Sequence, residues 1–143
     1  MLPGSENQSK KDPETYLRER FGVSVPKYLE ISERHGDFWL GTDPGAEVET
    51  DGIRAIRDTG KYLKPTTYLL QLIEDRITGN IVNVSTDELE SLLEGDMIER
   101  DLEQKGYVAI RYDGKVLGCG LYKDGLVSSR IPKGRGKELL EIL

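Results

Sequence analysis

The residues in this sequence best equipped to do chemistry are cationic. Arg111, Lys115, Lys123, Arg130, Lys133, Arg135 and Lys137 stand between Tyr107 and Lys137, opposed there only by Asp113 and Asp124. The chain as a whole carries a net charge of −6, so this basic stretch departs from its background and points to a polyanionic partner. Arg111 and Lys115 flank Asp113-Gly114, Lys123 adjoins Asp124-Gly125, and the remaining cations follow on the exit. Pro132, Gly134 and Gly136 are expected to hold Lys133 and Arg135 in an extended, accessible loop able to follow a phosphate backbone. The expectation is that these ends converge on one outward patch. The alternative is a row of lysines and arginines guarding a sheet edge against aggregation.

Other chemistries find little support. One cysteine, Cys119, and one histidine, His35, far apart in the chain, cannot form a disulfide, a nitrogen–sulfur zinc cluster or a nucleophilic triad. Cys119 lies among small and apolar residues of a predicted strand and reads as a buried small hydrophobe. Gly118-Cys119-Gly120 misses the dinucleotide spacing, and Gly134-Arg135-Gly136-Lys137 lacks the P-loop frame. Those strand glycines are expected to allow close backbone approach or to bend a barrel. Asp87, Glu88, Glu90, Glu94, Asp96, Glu99, Asp101 and Glu103 make the segment before the basic stretch acidic, and read mainly as a solvated helix face. No enzyme centre and no cofactor are expected; an Asp/Glu–Mg²⁺ RNA-processing site is the least supported reading.

The elements that must position the cations follow from pattern. Asp113-Gly114 and Asp124-Gly125 between alternating runs predict two tight hairpins, hence a three-stranded meander from Tyr107 to Ile131. Upstream, Asn80–Val84 reads as a strand, Ser85-Thr86-Asp87-Glu88 as a capping box opening a helix that stops at Gly95, and Met97-Ile98 as the start of a strand. Asp12-Pro13 predicts a helix start, with Tyr16, Leu17 and Phe21 on one face and Gly22 as terminator. A second helix is predicted from Pro26 to His35, ended by Gly36, making a helical pair. Phe38-Trp39-Leu40 reads as a strand, Asp43-Pro44-Gly45 as a turn, and Val48–Arg57 as a strand with a bulge at Gly52. Lys64-Pro65-Thr66-Thr67 predicts a helix running through Ile77.

With 143 residues, 36% apolar and 32% charged, the chain reads as a globular α+β protein. Residues 1–11 are expected to form a disordered leader, 12–79 an N-terminal α+β domain, and 80–143 a small barrel-like β domain. No apolar run approaches the roughly 20 residues of a membrane span, so no membrane partner and a cytoplasmic location are expected.

Gly106-Tyr107-Val108-Ala109-Ile110-Arg111-Tyr112-Asp113-Gly114-Lys115-Val116-Leu117-Gly118-Cys119-Gly120-Leu121-Tyr122, followed by Ser129-Arg130-Ile131-Pro132-Lys133, resembles the closing part of a PUA domain. It is similar to the PUA-like domain found C-terminal to NOL/NOP/Sun-class RNA cytosine-5 methyltransferases and in small stand-alone archaeal relatives. Tyr62–Tyr68 and Val82–Asp96 resemble the preceding helix and the first PUA strand and helix. The resemblance implies a β pseudo-barrel preceded by a pre-PUA domain. It also implies binding to structured RNA, tRNA or rRNA, in RNA modification or ribosome assembly. In that family the loop matching Gly95-Asp96 and the late strands approach RNA. Cys119 follows Gly118 and not proline, so the family's catalytic Pro-Cys motif is missing. Arg111, Lys115, Lys123, Arg130, Lys133, Arg135 and Gly95 are the expected RNA contacts, with Tyr107 or Tyr122 stacking on bases if exposed. A protein-interaction subunit of an RNA-modifying enzyme is the competing reading, and Arg54, Arg57, Lys61 and Lys64 are candidates for extending the basic surface.

Overall fold

The computed structural model describes residues 12–27, 29–42 and 53–143. Contacts divide the chain into two compact units between Gly79 and Asn80.

The first unit opens with α1 (Pro13–Phe21). Asp12 accepts from the backbone N–H groups of Glu14 and Thr15 at 2.9 and 3.1 Å, satisfying donors the helix cannot use itself. Gly22 ends α1 in the left-handed region at φ 69°, and a side chain there would collide with the Thr78 hydroxyl. A four-stranded sheet follows in the order β1 (Leu29–Arg34), β2 (Asp37–Thr42), β3 (Ile53–Asp58) and β4 (Leu63–Pro65), antiparallel throughout.

The predicted helix from Pro26 to His35 is therefore wrong: most of that segment is β1. Leu29 and Ile31 alternate with polar residues at period two. His35 and Gly36, at φ 54° and 85°, form a tight hairpin turn in which both central residues need positive φ. His35 caps no helix. Tyr28, the Asp43-Pro44-Gly45 turn and the Gly52 bulge lie outside the described residues.

The predicted helix through Ile77 is also shorter than expected. Lys64 and Pro65 belong to β4, Thr66 caps α2 (Thr67–Leu72) by accepting from the Leu69 N–H at 3.2 Å, and a separate 3₁₀ turn covers Glu74–Arg76. Burial selects Leu69, Leu70, Ile73 and Ile77, leaving Tyr68 and Leu72 exposed.

The second unit is a five-stranded sheet in the order β5 (Ile81–Asn83), β7 (Gly106–Tyr112), β8 (Lys115–Lys123), β9 (Leu126–Ser129), β6 (Ile98–Glu99). β5 runs parallel to β7 and every other pair is antiparallel. Both hairpin turns form as predicted, with positive φ at Asp113, Gly114, Asp124 and Gly125. α3 (Thr86–Leu93) starts from the predicted capping box: the Ser85 hydroxyl accepts from the Glu88 N–H, and a Glu88 carboxylate oxygen accepts from the Ser85 N–H. Val82, Leu89, Leu92, Val108, Ile110 and Val127 fill the core. Gly120 is where β8 can press against its neighbours, since a Cβ would sit 2.9 Å from the Ser128 carbonyl oxygen and 3.0 Å from Ile110 Cδ1. Cys119 is buried, as expected.

The sheet curls until its edges are tied together. Arg100, just past edge strand β6, donates to the backbone carbonyl of Asn83 on edge strand β5 at 2.8 Å. It also grips both carboxylate oxygens of Glu88 at 2.8 and 2.9 Å. Glu88 thus serves as helix cap and clasp at once, and its carboxyl is held at a pKa of about 2, chiefly by the Arg100 hydrogen bond and then by the Ser85 N–H. The architecture is α+β with a half-barrel, as expected from element order. Among the described residues no helix is long and apolar enough to cross a membrane.

Lys133 and Arg135 do not lie in an extended loop but in the first turn of α4 (Lys133–Ile142). Leu139 is buried in the core and Gly136 packs on Leu93 of α3. This packing offsets the roughly 1 kcal/mol that each glycine costs a helix relative to alanine.

Candidate nucleic-acid interface

The six expected cations do not form one patch. The tips of consecutive hairpins lie at opposite ends of the strand they share, so Lys115 and Lys123, first and last residues of β8, are separated by about 26 Å along it. Both are exposed. Arg111, half-buried on β7, turns its guanidinium to the Asn83 side-chain oxygen at 2.7 Å. Arg130, exposed beyond β9, donates its backbone N–H to the Cys119 carbonyl at 2.8 Å and so stands level with the middle of β8. Tyr107 and Tyr122 are 6% and 7% exposed, and the Tyr122 hydroxyl accepts from the Leu102 N–H. Neither offers a stacking face.

A smaller group does come together. α3 ends in a Schellman motif: the Gly95 N–H donates to the Leu92 carbonyl, the Asp96 N–H to the Ser91 carbonyl, and Gly95 adopts φ 102°. No atom lies within 4 Å of where a Gly95 side chain would point, and the residue is exposed. Two residues back, Leu93 touches Gly136 in the first turns of α4. The last turn of α3, which the Gly95 loop follows, thus packs on the first turns of α4, where Lys133 and Arg135 are exposed, as is Arg130 just before the helix.

The local electrostatics are unusual for a helix start. The first turn of α4 carries no acid, no side chain caps it, and Pro132 occupies the cap position. Lys133 and Arg135 add positive charge where the helix dipole is already positive, the reverse of the stabilising arrangement. Arg135 relieves part of this by pairing with Glu138 at 3.1 Å, both side chains well exposed. An anion at this point would meet backbone amides and two cations together.

Two features were missed in the sequence. The Glu88–Arg100 clasp has no local signal, since Arg100 and Lys105 are simply the two cations in a stretch of eight acids. The alignment of Ser32 with Trp39 and of Arg34 with Asp37 across β1 and β2 was hidden by reading β1 as a helix, although its period-two alternation was available.

Residues 79–135 match the family model of the Methyltransferase RsmF PUA domain, a span that runs from the β5 entry through the first turn of α4. No curated protein sequence gives a significant match to the chain. The half-barrel, its capped α3 and its two Asp-Gly hairpins thus lie in a segment that matches a PUA domain, and the second unit resembles the PUA domains of Sun-class methyltransferases.

Proposed function

We propose that this protein is a non-catalytic adaptor that binds structured RNA, tRNA or rRNA, in RNA modification or ribosome assembly. Residues 12–79 then serve as a pre-PUA domain. The observation that carries the reading is the RsmF-type PUA match over residues 79–135. The site best suited to the role is the Gly95 loop beside Arg130, Lys133 and Arg135, where exposed cations and an uncapped helix start face outward. Arg111, Lys115 and Lys123 are outlying phosphate contacts that fix orientation without reading sequence.

The test is a salt titration of binding to a labelled tRNA or rRNA hairpin. Lys133→Glu with Arg135→Glu is expected to weaken affinity at least about tenfold and to reduce the steepness of the log affinity against log salt plot by about two contacts. Unchanged affinity and slope reject the site.

A second reading, docking onto a separate RNA-modifying enzyme, is favoured by one feature: an open depression whose lining includes Glu99, Asp101 and Asp124 against one cation, Arg100, which is paired with Glu88. Its carboxylates suit a basic protein surface. A partner that survives ribonuclease in a pull-down, and is lost on Asp101→Lys, supports it; loss of every partner on ribonuclease treatment rejects it.

A further inference from the structure

We propose that the outward face of the first unit's sheet is a second RNA contact, one that takes a short single-stranded segment; this rests on reading the chain as an RNA binder. Strand register places Ser32, Trp39 and Arg54 directly opposite one another across β1, β2 and β3. Arg34 lies opposite Asp37, and Arg57 opposite Lys64. Directly paired residues share a face, and residues two apart on a strand share it too. In β3 the pairing shifts by one residue between the partners of Phe38 and Trp39, a bulge at which consecutive Ala55 and Ile56 are both buried and which returns Arg57 to the face of Arg54 although it is three positions on. Arg34, Trp39, Arg54, Arg57 and Lys64 therefore project from one side.

That side is the solvent side. Leu40 and Ile56, next to Trp39 and Arg57 on their strands, are 4% and 0% exposed and face the core, while Arg34, Arg54 and Arg57 are exposed. The outward acids among the described strand residues are Glu30 and Asp37. Asp37 is occupied by Arg54 at 3.4 Å and by the Asp58 N–H at 3.2 Å. Positive charge is thus in excess over a span of three strand spacings, about 14 Å.

Within this span the Arg34 guanidinium lies over the Trp39 ring, 4.9 Å from its centroid. Cations that track a backbone, combined with an aromatic ring and a planar guanidinium on which bases stack, are what a single strand requires. An acidic peptide would use the charges but leave the stacking platform idle, so RNA is the occupant the chemistry favours.

Trp39 is the sole tryptophan of the chain, so its fluorescence reports this face and no other. Titration of the full protein with a short oligouridylate is expected to quench it saturably, with affinity falling as salt rises. Arg57→Glu with Lys64→Glu is expected to weaken that binding at least about tenfold; Arg57→Gln with Lys64→Gln carries the test if the reversal does not fold. No quench, a titration curve indifferent to both pairs, or equal quenching by polyglutamate overturns the proposal. The two readings fail separately. Loss of hairpin binding in Lys133→Glu with Arg135→Glu, alongside an unresponsive Trp39, removes only this second contact. A Trp39 response with hairpin binding indifferent to Lys133 and Arg135 removes the site on the second unit instead.

Discussion

In the first unit, β3 and β4 hold Arg57 and Lys64 at directly paired positions, with Arg54 paired to Trp39 nearby. In the second, β8 holds Lys115 and Lys123 at its two ends. Both sheets contain successive antiparallel hairpins, yet one gathers its cations and the other scatters them. The cause is topological. Side chains placed mid-strand at matching register share a face, whereas side chains placed at successive turns alternate between the two ends of the sheet. Clustering in sequence is thus a poor guide to clustering in space when the cluster spans two hairpins.

The ion pairs of the two regions differ as sharply. Glu88–Arg100 is bidentate, with side chains about one-third exposed, and joins a helix cap to both sheet edges. Arg54–Asp37 is a single 3.4 Å contact with Arg54 about half exposed. Glu88→Ala is expected to cost about 2–3 kcal/mol in urea unfolding followed by circular dichroism, from a lost charge-assisted hydrogen bond plus a lost cap. An effect under about 0.5 kcal/mol would show that the clasp is ornamental to the fold. Because the folded pKa of Glu88, about 2, lies below its ordinary value of 4.5, the contribution is fully present above pH 4.5. It disappears as pH falls toward 2, and Glu88→Gln should flatten that part of the acid-stability curve.

Gly120→Ala comes next. Its Cβ would press on the Ser128 carbonyl and on Ile110, so a loss of about 1–3 kcal/mol is expected; no change in stability would mean that β8 has room to spare. Arg54→Ala should cost less than about 1 kcal/mol, as exposed pairs do. A larger loss would erase the contrast between the two regions. The smallest effect sharpens the topology itself. RNA-binding changes from Lys115→Ala and Lys123→Ala should add to within about 0.5 kcal/mol in the double variant, since their separation forbids direct coupling. Strong coupling would mean that one ligand group bridges both ends.

Much of the second unit was legible in sequence because its signals are local. Ser85-Thr86-Asp87-Glu88 specifies a capping box, and each Asp-Gly pair specifies a turn whose conformation few other residues accept. The misreadings occurred where tertiary contact decides. Lys133–Lys137 has two glycines and a preceding proline, which locally favour a loop, but burial of Leu139 and the fit of Gly136 on Leu93 draw it into a helix. Leu29–Arg34 has residues compatible with a helix, and the deciding features were its alternation and the His35-Gly36 turn. The candidate RNA site was half visible: Lys133 and Arg135 stood out as cations and Gly95 followed from the family resemblance, but the packing of α4 on the end of α3 arises only in the folded unit.

The central claim is that RNA meets the second unit at the junction of the Gly95 loop and the α4 start. Ultraviolet crosslinking of the full protein to a bound tRNA or rRNA hairpin, with the attached peptides mapped by mass spectrometry, tests it most directly. The account predicts crosslinks in the peptides holding Gly95–Met97 and Arg130–Arg135. Crosslinks confined to the Lys123 turn or to the acidic depression, with none at that junction, would contradict it.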